Sequence, residues 1–312
     1  MPSSITHYLF AKSVLNSDIT NESIFFLGAQ GPDVFFFYGY HPLYKENKKL
    51  ISSFGTKLHD INIAAAYDFM HEYALNHEEH TEMIFSYIKG LFAHYTLDRA
   101  THPYIFYVTL FDNFEEQSKQ YAFAHAYFET YVDNLFRKKC DYVGNTFDMI
   151  KSKKSDLLIL SEMYYELGKE MFPEFKLKKN SFYLAYKSMA FALKVLYSKK
   201  GYKKSFFETF MRKSLVNAMS HPKLVPDTIL GLDILNESKK TWKNPVSGEK
   251  HNSTFAEMYK NGQDDFAKAI TLLGTDNFHD LLRVFVINTD HRGAPIDGIM
   301  KFHRNIFKNT VL

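Results

Sequence analysis

The sequence predicts an all-helical fold, a multi-helix bundle, on three observations. Apolar residues recur three or four apart along most of the chain, no series of alternating strands joined by hairpin turns is recognisable, and no internal repeat emerges. The first periodic segment is 5–16. After it come Gly28, Gly31-Pro32, Gly39 and His41-Pro42, which interrupt regular structure before the second segment, 56–75. The third, 80–100, contains the apolar stretch Ile84 to Phe92 and reads as a buried helix. Segments 115–138 and 155–170 follow, the latter closed by Pro173, and Gly201 separates 180–199 from 204–218. Pro222, Pro226 and Asn244-Pro245 precede 254–273, and Gly293 follows 277–287. Two longer stretches, 28–55 and 221–253, read as irregular and long enough to be functional loops.

A chain of 312 residues with 46% hydrophobic and 23% charged residues is composed like an ordinary globular protein and is long enough to bury a large core. We read residues 1–312 as one domain, with 1–140 carrying the chemistry and 141–312 completing the bundle. The formal charge of +3 gives no electrostatic argument for a nucleic-acid partner. The single cysteine, Cys140, excludes an intrachain disulfide framework. No apolar run reaches the ~20 residues that a membrane-spanning helix needs, and no signal peptide is evident, so the expected location is the cytoplasm. The lysine groups at 45–49, 151–154 and 199–204 read as solvated turns, or else as contacts for anionic lipid headgroups. Oligomeric state has no signature.

The chemistry lies in two pairs. In His94-Tyr-Thr-Leu-Asp98 and His125-Ala-Tyr-Phe-Glu129 an imidazole and a carboxylate stand four residues apart, on one face of a helix. His102, eight residues after His94, is roughly 12 Å along the axis. That is too far to share one ion with His94 but suits a second, with Asp98 between them able to bridge. Pro103 predicts that the helix ends near His102. Such nitrogen and carboxylate donors suit zinc, and helix bundles build metal sites from inward side chains of this kind. Taken singly, each pair also fits a surface ion pair; the apolar neighbours Leu91-Phe92-Ala93 and Phe123-Ala124 argue for burial. His7, Asp33 in Gly28-Ala29-Gln30-Gly31-Pro32-Asp33, and His59 are further candidates. The aromatic run Phe35-Phe36-Phe37-Tyr38 reads as core, or else as one wall of an acyl-chain pocket.

Taken in order, His7, Gly28 to Asp33, His59, His94-xxx-Asp98, His102-Pro103 and His125-xxx-Glu129 resemble the ligand series of the zinc-dependent phospholipases C. A weaker similarity to cytosolic bacterial relatives covers Trp242 to Phe255. The resemblance implies two or three zinc ions in a fold shared with the single-strand nucleases. One ion would be held by Asp33, His59, His94 and Asp98, and a second by His102, His125 and Glu129. A third would lie between His7, Asp98 and the N-terminal amine and carbonyl. Secreted members present an N-terminal Trp there, whereas this chain begins Met1-Pro2. The toxin-like members append a β-sandwich, whereas 140–312 reads as helical here.

The implied activity is phosphodiester hydrolysis by a zinc-bound hydroxide, with Asp33 as ligand and general base. It would release an alcohol and a phosphomonoester from a phospholipid or soluble analogue. A single-strand nuclease and a non-catalytic zinc-binding helical protein are the alternatives. Glu129 as last ligand favours the phospholipase branch. His59-Asp60 also resembles the HD-type phosphohydrolases, which leave the two four-residue pairs unexplained. His41, His71, His77, His80, His221, His251, His279, His291 and His303 are expected mostly at surfaces and in loops, with His221-Pro222 and Asp290 to Gly293 as candidates for the mouth of the site.

Overall fold

One helix organises the architecture of this computed structural model, which describes residues 4–110, 124–142, 144–196, 232–304 and 306. That helix, α5 (Thr81–Thr109), has 29 residues and is about 44 Å long at 1.5 Å per residue. It is buried on most sides along Ile84 to Thr109, as expected of a helix at the centre of a bundle rather than on its surface. Around it pack α1 (Ser4–Val14), α2 (Glu22–Gly28), α4 (Ile63–Leu75), α6 (Ala124–Lys139) and α9 (Phe255–Ile270). A second layer comprises a 3-10 helix at Gly31–Phe37, α3 (Lys48–His59), α7 (Lys154–Met171) and α8 (Ser181–Leu196). Phe35 joins this layer edge-on, with ring centroids 5.0 Å from Phe54, 5.1 Å from Tyr164 and 5.7 Å from Phe182. The layers are also linked by the Tyr87 and Tyr164 hydroxyls, 2.9 Å apart. Finally, α10 (Phe278–Val286) lies against α4.

Four sequence expectations are corrected. The segment 56–75 is two helices, because Asn62 caps α4 by accepting from Ala64 N at 3.0 Å and turns the chain. The stretch 28–55 is only partly irregular: the 3-10 helix and the first half of α3 fall within it. The helix at 80–100 runs on through Pro103 to Thr109. In the described part of 221–253, Trp242–Lys243 pairs antiparallel with Lys250–His251, and Trp242 packs against Tyr104 with centroids 5.6 Å apart. The segment 204–218 and the His221-Pro222 pair lie outside the described residues, as does the first part of 115–138. Among the described residues no helix is long and apolar enough to cross a membrane.

The start of α1 is fixed from a distance. A helix leaves its first N–H groups without partners inside the helix, and here Asp133 of α6 satisfies them. Its Oδ2 accepts from Ile5 N at 3.1 Å, and its Oδ1 accepts from Thr6 N at 2.8 Å and the Thr6 hydroxyl at 2.7 Å. Asp133→Asn puts an NH2 where a donor already points. Thermal melting should show a loss of about 1–3 kcal/mol, or roughly a few degrees; an unchanged melting temperature would mean that this tether does not hold α1.

Candidate metal centre

The helix α5 supplies His94, Asp98 and His102, spaced four apart and therefore stacked along one face. Four other elements close on that face. α1 brings His7, the 3-10 helix Asp33, the last turn of α3 His59, and α6 His125 with Glu129. Gly31 permits the closest approach. Its φ is +57°, and an added Cβ would lie 2.3–2.5 Å from the His94 imidazole. Only glycine satisfies both conditions at that position, and the turn it makes delivers Asp33 through Pro32 at the start of the 3-10 helix.

Three donor groups result, each with its ligand atoms within 4.8 Å of one another: His7, His94 and Asp98; Asp33, His59 and His94; and His102, His125 and Glu129. His7 Nε2 lies 3.2 Å from Asp98 Oδ1, and His94 Nε2 lies 3.1 Å from Asp98 Oδ2. His59 Nε2 is 3.2 Å from Asp33 Oδ1. Glu129 Oε1 is 3.1 Å from His125 Nε2 and 3.4 Å from His102 Nε2. Ligands about 2.0–2.2 Å from a tetrahedral zinc stand about 3.4 Å apart, so these separations match the edges of such a site.

The outer nitrogens support the same assignment. His59 Nδ1 is 2.8 Å from the Gly55 carbonyl, His94 Nδ1 3.2 Å from that of Ala29, and His102 Nδ1 2.6 Å from that of His291. A carbonyl only accepts, so each Nδ1 carries the proton and each Nε2 faces the cluster, the arrangement typical of metal-bound imidazoles. His94 Nε2 is buried, 3.1 Å from Asp98 Oδ2 but not in hydrogen-bond geometry with it, a position a metal ion would satisfy. The residues therefore fit zinc. The N-terminal donors implied for a third ion, at Met1 or Pro2, lie outside the described residues.

A model of the family described as zinc dependent phospholipase C matches residues 6–199. The chain belongs to the zinc-dependent phospholipase C family. No curated protein and no solved structure matches it. All the donors just described fall inside the family-matched span.

What the family match does not cover is a turn at Asp290 to Gly293 that closes one side of the centre. His102 does not end its helix, despite Pro103. A proline within a helix cannot donate to the carbonyl four residues earlier, here that of Arg99, and Gly293 occupies the space beside that carbonyl. With φ +66°, Gly293 would place an added Cβ 2.4 Å from Arg99 O and 2.9 Å from the Pro103 ring. This packing carries His291 onto the centre. Its N–H donates to the His59 carbonyl at 3.3 Å and its carbonyl accepts from His102. His291 is 2% exposed, with both ring nitrogens unpartnered.

The donors other than His94 line a cavity of about 310 Å³ together with Phe36, Phe37, Tyr40, Phe106 and Arg292. The aromatic run at 35–38 thus divides: Phe35 is core, while Phe36 stacks on His59 at 5.2 Å and with Phe37 lines the cavity. His71, expected at the surface, is buried against Phe278 with ring centroids 4.1 Å apart.

Burial and carboxylates compete across the metal-free centre. Burial alone would lower the pKa values of His7, His59 and His102, but Asp98, Asp33 and Glu129 outweigh it. All three are raised, His102 to about 10. Burial wins at His94, which is lowered. Burial would raise Asp98 and Glu129, yet the surrounding histidines hold both well below the usual carboxylate range.

Because the His102 pKa is higher folded than unfolded, its proton stabilises the metal-free chain below pH 6.5, and that contribution is lost as the pH rises towards 10. The melting temperature of chelator-treated protein should therefore carry a falling component over this range that His102→Gln removes. Zinc uptake at pH 7 should release protons, measured by calorimetry in buffers of different ionisation enthalpy. Uptake without proton release would contradict this charge assignment.

Proposed function

We propose that this centre hydrolyses a phosphodiester of phospholipid type, releasing an alcohol and a phosphomonoester, with two or three zinc ions as cofactors. The observation that carries the reading is the juxtaposition of the three donor groups along one face of α5, two of them sharing His94, with members of all three lining one cavity. His102, His125 and Glu129 supply three protein donors, and a zinc site with three leaves a position for water or substrate. When bound, clustered zinc ions lower the pKa of water and stabilise charge on phosphoryl oxygens.

The protein's own groups do the rest. Asp33 lines the cavity and meets His59 through Oδ1, which leaves its second oxygen as the acceptor for the proton of an attacking water. Phe36, Phe37, Tyr40 and Phe106 form an apolar wall that excludes bulk water and faces the uncharged part of the substrate. A volume of about 310 Å³ is at the small end of ligand pockets. It accommodates a phosphoryl headgroup and the adjoining glycerol carbons, with the acyl chains outside. Residues 1–312 act here as one working unit, since the C-terminal part contributes His291 and Arg292 to the wall of a centre built by the first 140 residues. The exposed thiol of Cys140 fits a reducing, cytoplasmic setting.

The test is metal analysis of untagged protein together with turnover of a short-chain phosphatidylcholine and of single-stranded DNA. Two or three zinc ions per chain are expected, with lipid hydrolysis that falls at least about 100-fold in His125→Ala. Cleavage of DNA without lipid hydrolysis would transfer the chain to nuclease chemistry. A zinc-loaded protein inert to both would make the centre structural.

A further inference from the structure

Among the described residues that line the cavity, four are carboxylates, Asp33, Asp60, Asp98 and Glu129, and one carries a permanent positive charge, Arg292. We propose that Arg292 is an oxyanion-binding residue that receives the phosphoryl group of the substrate. The inference rests on the phosphodiesterase reading and extends it to a residue beyond the span matched by the family.

The turn is built to hold that guanidinium. Asp290 is fully buried and commits both carboxylate oxygens to Arg292. Oδ1 accepts from the Arg292 backbone N–H at 2.8 Å, and Oδ2 accepts from Nε at 2.7 Å and faces Nη2 at 2.5 Å. Asp290 is itself locked by Asp290 N to Ala294 O at 3.1 Å and Gly293 N to Asp290 O at 3.1 Å. One edge of the guanidinium is thus fastened by Asp290, with Asp60 Oδ1 3.8 Å from Nε and Nη2 donating to the Ile296 carbonyl at 3.5 Å, while Nη1 has no hydrogen bond among the described residues and the side chain is 26% exposed in the cavity wall.

Registry with the metal donors is equally fixed. The adjacent residue, His291, is hydrogen-bonded through its backbone to both His59 and His102, so Arg292 cannot shift without moving two zinc donors. An arginine held along one edge presents its remaining N–H groups in a fixed plane that matches phosphate oxygens, with little further ordering required on binding. The simpler role, a counter-ion for buried Asp290, accounts for the bonds to Asp290. It does not account for the placement of Arg292 in the wall of the cavity that holds the candidate metal donors, with Nη1 left unbonded.

Inorganic phosphate is the probe, titrated calorimetrically into zinc-loaded protein. Arg292→Met should weaken phosphate binding about 10- to 100-fold, the range for a charge-assisted hydrogen bond. It should raise KM for a soluble phosphodiester more than it lowers kcat, with zinc content unchanged. Arg292→Lys should recover part of the affinity. Asp290→Asn, which loosens the guanidinium without removing it, should fall between wild type and Arg292→Met. Unchanged phosphate affinity in zinc-replete Arg292→Met would overturn the proposal. So would zinc loss in both Arg292→Met and Arg292→Lys, which would make the residue a support for the donors. Phosphate binding that depends on Arg292 in a wild-type protein without phosphodiester turnover would retain the oxyanion site and reject the proposed activity. Turnover that is the same in wild type and Arg292→Met would do the reverse.

Discussion

A carboxylate buried at the middle of the central helix sets the terms for the structure around it. Asp98 is 4% exposed, and an ionised group at that depth is costly unless other charges and hydrogen-bond donors surround it. Three imidazoles do so: His7 from α1, His94 one turn earlier and His102 one turn later, at 3.2, 3.1 and 3.7 Å. The distant cap on α1 and the close approach of the left-handed Gly31 to His94 fix two of these partners. Without metal, the carboxylates favour a proton on His7 and on His102, while burial disfavours one on His94. A metal ion bound there would displace those protons and supply the charge in their place. The polar interior is therefore a compensated charge system built into an apolar bundle.

The C-terminal part extends that system instead of merely covering it. Pro103 frees the Arg99 carbonyl and leaves a notch, Gly293 fills the notch, and the turn so placed reaches His59 and His102 through the backbone of His291. One irregularity in the central helix thus couples residues almost 200 positions apart in sequence. It gives the candidate metal donors His59 and His102 backbone partners and places Arg292 in the cavity wall.

The parts of this site legible in the sequence were the local ones. Four-residue spacing is a property of a helix, so His94 with Asp98 and His125 with Glu129 could be paired before any tertiary structure was known. His7, Asp33 and His59 were singled out by their order along the chain and its resemblance to a known ligand series, because no periodicity relates a 3-10 turn to the end of a neighbouring helix. For the turn at 290–293 the sequence offers only a candidate for the mouth of the site, and His291 and Arg292 do line the cavity, but how the turn is held depends on a notch in another element. Pro103 departs from its local preference for the complementary reason: the tendency to end a helix is overridden where α5 is packed by its neighbours. The division of 56–75 was hidden by Ile61 and Ile63, whose apolar side chains continue across the break that Asn62 makes.

The central claim is that the buried histidines and carboxylates form one multi-zinc centre. Anomalous diffraction at the zinc edge, from crystals of zinc-loaded protein, tests it most directly. The account predicts at least two peaks, one bounded by His102, His125 and Glu129 and another by Asp33, His59 and His94. An absence of anomalous density between these side chains, with zinc only at surface histidines, would contradict it.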